Sequence, residues 1–424
     1  MTRLPRRSNP AGPRLASIEN LLAAAVALGL FFITVNVAEY GSTYYDFRLI
    51  VLGISAGATS LAFMSALARR RTKADTLAVL AILYFAWAAI QDLTQSGIPS
   101  VALDLVGASA AYAATRANLR GVLPGLRRWI LVAVIACLLP AFLGQGFRAG
   151  RVWFGLAPGR YFGFSNPDGL GFIAGLALLL SLPILRLARG RILAIVGGFL
   201  FVIAATYTAA IAAGLAVVSY YFVAKGRATR HLQWGAAGLA VITVGALVWM
   251  PTRQGMDAFD SLSQRMSLSG RTVLWFELLR IARDAGYFWT GLGGRVVGRY
   301  TVEILGVGTA HATILQLLLS KGFVTTAIFV LIAAIAANRT LGRISSKPSR
   351  DERLAFAILV YWFVTSLVST EPGTPFGLML VFLIAVSRSD DELEADRPNI
   401  ASLDASRAGP VPGPRGSRVS AGEE

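Results

Sequence analysis

Long apolar runs separated by short polar gaps fill almost the whole chain. They fall at about residues 18–38, 47–68, 74–90, 98–115, 129–143, 169–187, 192–205, 209–224, 232–250, 309–337, 354–370 and 375–387. A helix needs about 20 apolar residues to cross the hydrocarbon layer, and a tilt or a thin bilayer accommodates shorter runs. The pattern therefore predicts an all-α fold, a polytopic transmembrane helical bundle of about twelve helices. The stretch 192–224 is read as two helices meeting at Tyr207, because the alternation of charged gaps requires an even number of crossings there.

Basic residues set the expected orientation. Arg3, Arg6 and Arg7, the gaps 69–73, 116–128, 186–191, 225–230 and 339–353, and Arg388 fall on alternate sides of the runs, so these are expected on the cytoplasmic face. The intervening gaps 39–46, 91–97, 144–168, 206–208, 251–308 and 371–374 then lie outside. The expected organisation is a cytoplasmic tail over 1–17, a transmembrane domain over 18–387 and a cytoplasmic tail over 388–424. Within the domain, a large periplasmic loop with short helices is expected over 251–308, between helices 9 and 10. The first apolar run has no small-residue cleavage site near its end and reads as a retained helix. The last segment, acidic and then rich in Pro, Gly, Ser and Arg, has no apolar periodicity and reads as disordered.

Composition supports the same class. The chain is 55% hydrophobic and 15% charged, whereas soluble domains carry roughly 25% charged residues. A net charge of +17 would suggest nucleic acid in a soluble protein. Here the charge sits in the gaps, so it is a topology signal; membrane lipids are the expected partner and nucleic acid is not. The single cysteine, Cys137, lies inside an apolar run, which leaves no disulfide framework or thiolate cluster.

Two outer gaps break the charge rule. One carries Arg148, Arg151 and Arg160; the other carries Arg253, Arg265, Arg271, Arg280, Arg283, Arg295 and Arg299. Guanidinium groups on the face that should be poor in them suggest an anionic ligand such as a diphosphate, which arginine grips bidentately. The competing reading is contact with lipid headgroups or pairing with Asp257, Asp260, Glu277, Asp284 and Glu303.

Within the second gap stands Ser267-Leu-Ser-Gly-Arg-Thr-Val-Leu-Trp275, followed by an amphipathic stretch and Gly291-Leu-Gly-Gly294. His311 follows, with Leu315-Gln316 and Lys321-Gly322 behind it. Earlier comes Arg160-Tyr-Phe-Gly-Phe-Ser-Asn166-Pro-Asp-Gly-Leu-Gly171. In spacing and order these elements resemble the O-antigen ligase and polysaccharide polymerase superfamily of bacterial membrane proteins, over roughly residues 160–332. The chain departs from that pattern at Ala312, where the family often has Asn, and at Lys321, where it often has an acid. Thr206-Tyr-Thr also lacks the family's Ser and Arg.

The resemblance implies a metal-independent glycosyltransferase in the bacterial inner membrane that needs no cofactor. It would move a glycan from an undecaprenyl-diphosphate-linked donor to a hydroxyl acceptor, a glycan or a lipid-linked core such as that of lipopolysaccharide, on the periplasmic face. His311 would be the catalytic base; Arg271, Arg265 and Arg160 would hold the diphosphate, with Trp275 and Gln316 also binding substrate. The residues support the chemistry independently. A neutral imidazole at a membrane boundary can take a proton from an attacking sugar hydroxyl, and fixed positive charge stabilises a departing diphosphate. His231, in a basic cytoplasmic gap, is a solvated interface residue on this reading, and Trp275 could equally anchor the membrane interface. Two other readings stay open. One is a polyprenyl-phosphate-sugar glycosyltransferase with an acidic base, Glu39 or Asp46, in the first outer loop. The other is a polysaccharide or lipid transporter, against which stand the lack of an inverted repeat, the scarcity of mid-span ionisable residues beyond Asp104 and the large asymmetric loop 251–308.

Overall fold

The computed structural model describes residues 17–34, 42–68, 75–95, 98–143, 147–152, 157–161, 167–223, 226–249, 252–265, 271–294, 296–297, 299, 312–344, 348–367, 369–370 and 373–387. Within these, the side chains of 33–34, 42–48, 95, 98–99, 148–152, 157–160, 226–230, 253, 259, 262–265 and 271–274 lie outside the description. The two tails fall outside it as well, apart from Ser17.

The described chain is a helical bundle. Its helices are α1 (Ile18–Thr34), α2 (Ser42–Leu67), α3 (Thr76–Gln95), α4 (Ile98–Ala114) and α5 (Leu119–Phe142), then α6 (Pro167–Ser181), α7 (Ala188–Ala204), α8 (Tyr207–Phe222) and α9 (Gly226–Trp249). Two polar helices follow, α10 (Arg253–Arg265) and α11 (Arg271–Asp284), and then α12 (Thr313–Arg343), α13 (Arg350–Ser366) and α14 (Pro375–Val386). Six helices are long and apolar enough to cross a membrane, and shorter apolar helices accompany them. Bulky side chains point outward, among them Leu61, Met64, Ile195, Ile211, Phe222, Val241 and Ile242, all more than half exposed. Alanines and glycines line many of the inner contacts instead: Gly107 of α4 lies against the Phe85 ring and Gly175 of α6 against the Tyr361 ring. Large apolar residues outside and small ones between helices is the packing of a bundle solvated by lipid. The chain is a membrane protein.

Local sequence sets the helix ends. Asp75 starts α3 by accepting from the amides of Leu77 and Ala78 at 2.9 and 3.3 Å. Ser349 and Glu352 form a reciprocal capping box on α13, and Thr374 caps α14 ahead of Pro375. The expected division at Tyr207 is present: α7 closes on Ala205 in the left-handed region, and α8 starts at Tyr207.

The structure differs from the sequence expectation in three places. The segment 144–168, read as an outer gap, contains an antiparallel hairpin, β1 (Phe147–Val152) and β2 (Ala157–Tyr161), which pairs Arg148 with Arg160. Residues 42–46, read as loop, begin α2. Gln91 and Asp92, also read as loop, sit inside α3 and are buried, because they find polar partners there.

Charged contacts gather gaps from distant parts of the sequence at one end of the bundle. Arg127 reaches Asp351 at 3.6 Å, and Arg339 pairs with Asp75. These four residues come from gaps, or their edges, that share one predicted face. Gaps and run ends expected on the opposite face also meet: Gln91 donates to the Thr290 carbonyl at 3.4 Å, and Thr313 and Ser369, each close to the end of its run, are joined by a hydrogen bond from Thr313 to the Ser369 carbonyl at 2.7 Å.

Candidate functional site

The site is organised by a break in α12. Gly322 adopts φ 77° and ψ 179° in the middle of that helix, so the ladder opens there. An unbroken helix would give the amide of Phe323 to the carbonyl of Leu319. Instead Phe323 N–H donates to the Phe288 carbonyl at 3.0 Å, and the Leu319 carbonyl accepts from Leu292 N–H at 2.6 Å. Gly293 N–H donates to the Ser320 carbonyl at 3.1 Å. The glycine turn after α11 thus replaces the hydrogen bonds that the break releases. Non-helical backbone inside a membrane bundle is tolerated where protein satisfies it in this way.

Close approach requires glycines on both sides. Gly286, Gly291 and Gly293 all have positive φ, as Gly322 does. Residues 288–293 are pinned further by rings: Phe288, Trp289 and Phe323 form an aromatic cluster with centroids 5.0–6.1 Å apart. The turn carries α10 and α11 with it. Both are amphipathic, and their apolar faces (Met256, Leu278, Leu279 and Ala282) join Leu247, Phe288, Val297, Leu318 and Leu319 in a second core cluster beside the main one.

A polar belt crosses the break. Gln91 of α3 donates from Nε2 to the Lys321 carbonyl at 2.9 Å as well as to Thr290, and Thr325 Oγ1 lies 3.0 Å from Gln91 Oε1. Lys321 Nζ forms an ion pair with Asp92 of α3 and lies 3.6 Å from Asp104 Oδ2 of α4. It also lies 3.4 Å from the Ala88 carbonyl. Three helices and the turn therefore share one buried network.

Of the residues singled out by sequence, Trp275 of α11 is half-buried against the second cluster. Gln316 is half-buried in the first turn of α12, its amide donating to the Ala312 carbonyl at 2.8 Å. Both stand on elements that meet at the break. His311 lies outside the described residues, next to Ala312, from which α12 begins. Arg265 ends α10 and Arg271 begins α11; the backbone of each is described and its side chain is not. The same holds for Arg160, in β2 beside Tyr161.

Tyr161 fixes that hairpin. Its hydroxyl donates to the Cys137 carbonyl at 2.7 Å and accepts from Ala141 N–H at 3.2 Å, so it stands between two groups that a regular helix would pair. Among the other arginines of 251–308, Arg280 pairs with Glu277 at 2.6 Å and Arg283 with Asp284 at 2.7 Å, as the pairing alternative anticipates. Glu39 lies outside the described residues, and Asp46 is described in backbone only, within α2.

Sequence reading missed the Asp92–Lys321 pair and the break. Its available signals were a Lys-Gly dipeptide and a lone Asp104 inside otherwise apolar runs. Finally, an apolar cavity of about 310 Å³ lies between α9 and the helices α12 and α13, lined by Leu239, Ile314, Phe329, Val330, Trp362 and Phe363 among others. No protein-family model, curated protein or solved structure matches the chain.

Proposed function

We propose that the protein is a metal-independent glycosyltransferase of the O-antigen ligase or polysaccharide polymerase type. It has about twelve spans in a bacterial inner membrane, with 251–308 on the periplasmic face. The observation that carries the reading is the docking of the arginine-rich segment into the break of α12. This couples α10 and α11, which bear Arg265, Arg271 and Trp275, to the half-helix that follows His311 and bears Gln316. Such coupling is what transfer at a membrane boundary requires. A lipid diphosphate is held by fixed cations while a hydroxyl loses its proton to a nearby base.

On this reading Arg271 and Arg265, with Arg160 from the hairpin, neutralise the leaving undecaprenyl diphosphate. His311 takes the acceptor proton, the acceptor oxygen bonds to the anomeric carbon, and the diphosphate leaves with the bonding pair. The apolar cavity beside Ile314 offers lodging for part of a polyprenyl chain. The test is transfer of a glycan from undecaprenyl diphosphate by purified protein in chelator-treated buffer, comparing wild type with Arg271→Lys. Transfer is expected without metal and is expected to fall sharply in the lysine variant, since a point ammonium does not reproduce a bidentate grip.

One observation favours a second reading. A discontinuous helix with charged groups buried beside it is also how carriers build a midplane site. Substrate flux into vesicles without glycosyl transfer would select the carrier.

A further inference from the structure

The cluster at the break has an odd charge. Asp92 and Asp104 are 4% and 5% exposed, and among the described residues a single cation, Lys321, lies between them. Lys321 is committed to Asp92, while Asp104 Oδ2 is buried and has no hydrogen-bond partner among the described residues. Two ionised carboxylates facing one ammonium would leave a net negative charge inside a helical bundle in lipid, an arrangement that burial away from water strongly disfavours.

Among the described residues, the surroundings of Asp104 offer no other countercharge. α3 presents Asp92 and Tyr84 to it, and α12 presents Lys321. The described side chains of α2 and α14, which also pack on α4, include no titratable group. α1 contributes only Glu19, which accepts from the Asn118 amide beyond the far end of α4. Arg339 of α12 is committed to Asp75.

We propose that Asp92, Asp104 and Lys321 form a binding site for one proton, carried by Asp104 or shared between the two carboxyl groups, and that its occupancy is linked to the break in α12. The bound proton makes the cluster electrically neutral: one acid, one carboxylate, one ammonium. Its loss leaves two carboxylates competing for the same ammonium. Lys321 is also part of the break, since its carbonyl accepts from Gln91, and Gln91 bonds the Thr290 carbonyl in the docked turn. Proton release therefore bears directly on how the segment 285–294 is held. This site is independent of the transfer reaction and stands whether or not that reading holds.

Infrared spectroscopy of the purified protein in lipid nanodiscs tests it. The wild type is expected to show the carbonyl stretch of a protonated carboxylic acid at neutral pH. The band should fade on alkaline titration and be missing from Asp104→Asn or Asp92→Asn. A charge-balance series gives a second readout through the unfolding temperature. Asp104→Asn, which keeps one carboxylate for one ammonium, should stay within about 2 °C of wild type. Lys321→Met should lose about 5–10 °C, and adding Asp92→Asn to it should recover most of the loss. If the wild type shows no band attributable to either aspartate, or if Asp104→Asn is as destabilising as Lys321→Met, both acids are ionised and the proton site does not exist.

Discussion

Gly291 and Gly322 face each other across the break so closely that neither leaves room for a side chain. A Cβ on Gly291 would stand 2.6 Å from the amide nitrogen of Gly322, and a Cβ on Gly322 would stand 2.7 Å from the nitrogen of Gly291. Both also hold positive φ, so each position excludes other residues on two independent grounds. Through this contact the segment that carries the candidate arginines is joined to the helix that follows His311.

Alanine at either position should therefore be costly. Gly322→Ala or Gly291→Ala is expected to destabilise the protein by about 2–4 kcal/mol, from backbone strain plus overlap. The measurement is thermal unfolding in detergent. Gly214→Ala and Gly238→Ala, on α8 and α9 with open space at the Cβ, serve as controls and should be neutral or slightly stabilising.

The hairpin depends on one hydroxyl. Tyr161→Phe removes the bridge between Ala141 N–H and the Cys137 carbonyl without changing the ring, which also packs 5.0 Å from Phe147. An expected loss of about 0.5–1.5 kcal/mol follows from removing the two hydrogen bonds of the hydroxyl. Limited proteolysis should then cut first within 144–160. A variant as stable and as resistant as wild type would show that the hydroxyl contributes nothing to anchoring the hairpin.

Much of the architecture was legible because its cause is local. Apolar runs mark helices, and basic gaps mark ends; Arg127 with Asp351 and Arg339 with Asp75 bring together gaps that sequence assigns to one face. The division at Tyr207 followed from counting crossings. What escaped depends on partners far away in the chain. Gln91 and Asp92 look like loop residues until Lys321 and Thr325 supply their bonds, and nothing local marks Lys321-Gly322 as a break rather than a flaw in a long span. The hairpin escaped because a sequence such as Phe147-Arg-Ala-Gly-Arg-Val152 has no alternating apolar pattern to announce a strand. Of the candidate site, Trp275 and Gln316 were legible as members of one region, whereas His311 falls outside the described residues and rests on sequence alone.

Topology has a direct check. With Cys137 replaced, single cysteines at Ser261 and Leu187, both exposed, should respond oppositely to a membrane-impermeant maleimide added to spheroplasts. Ser261→Cys on α10 should label from outside, and Leu187→Cys only after the membrane is opened. Equal labelling of both from outside would overturn the assignment of 251–308 to the periplasmic face.

The central claim is that His311 is the base for glycosyl transfer. The measurement that bears on it most directly is the initial rate of glycan transfer from undecaprenyl diphosphate by purified wild type, His311→Ala, Glu39→Gln and Asp46→Asn in metal-free buffer. Donor binding is followed alongside. His311→Ala is expected to lose ~10²–10⁴-fold in rate while still binding donor, and the two acidic variants should be mild. A His311→Ala protein that transfers at the wild-type rate, above all if Glu39→Gln or Asp46→Asn abolishes transfer, would contradict the account.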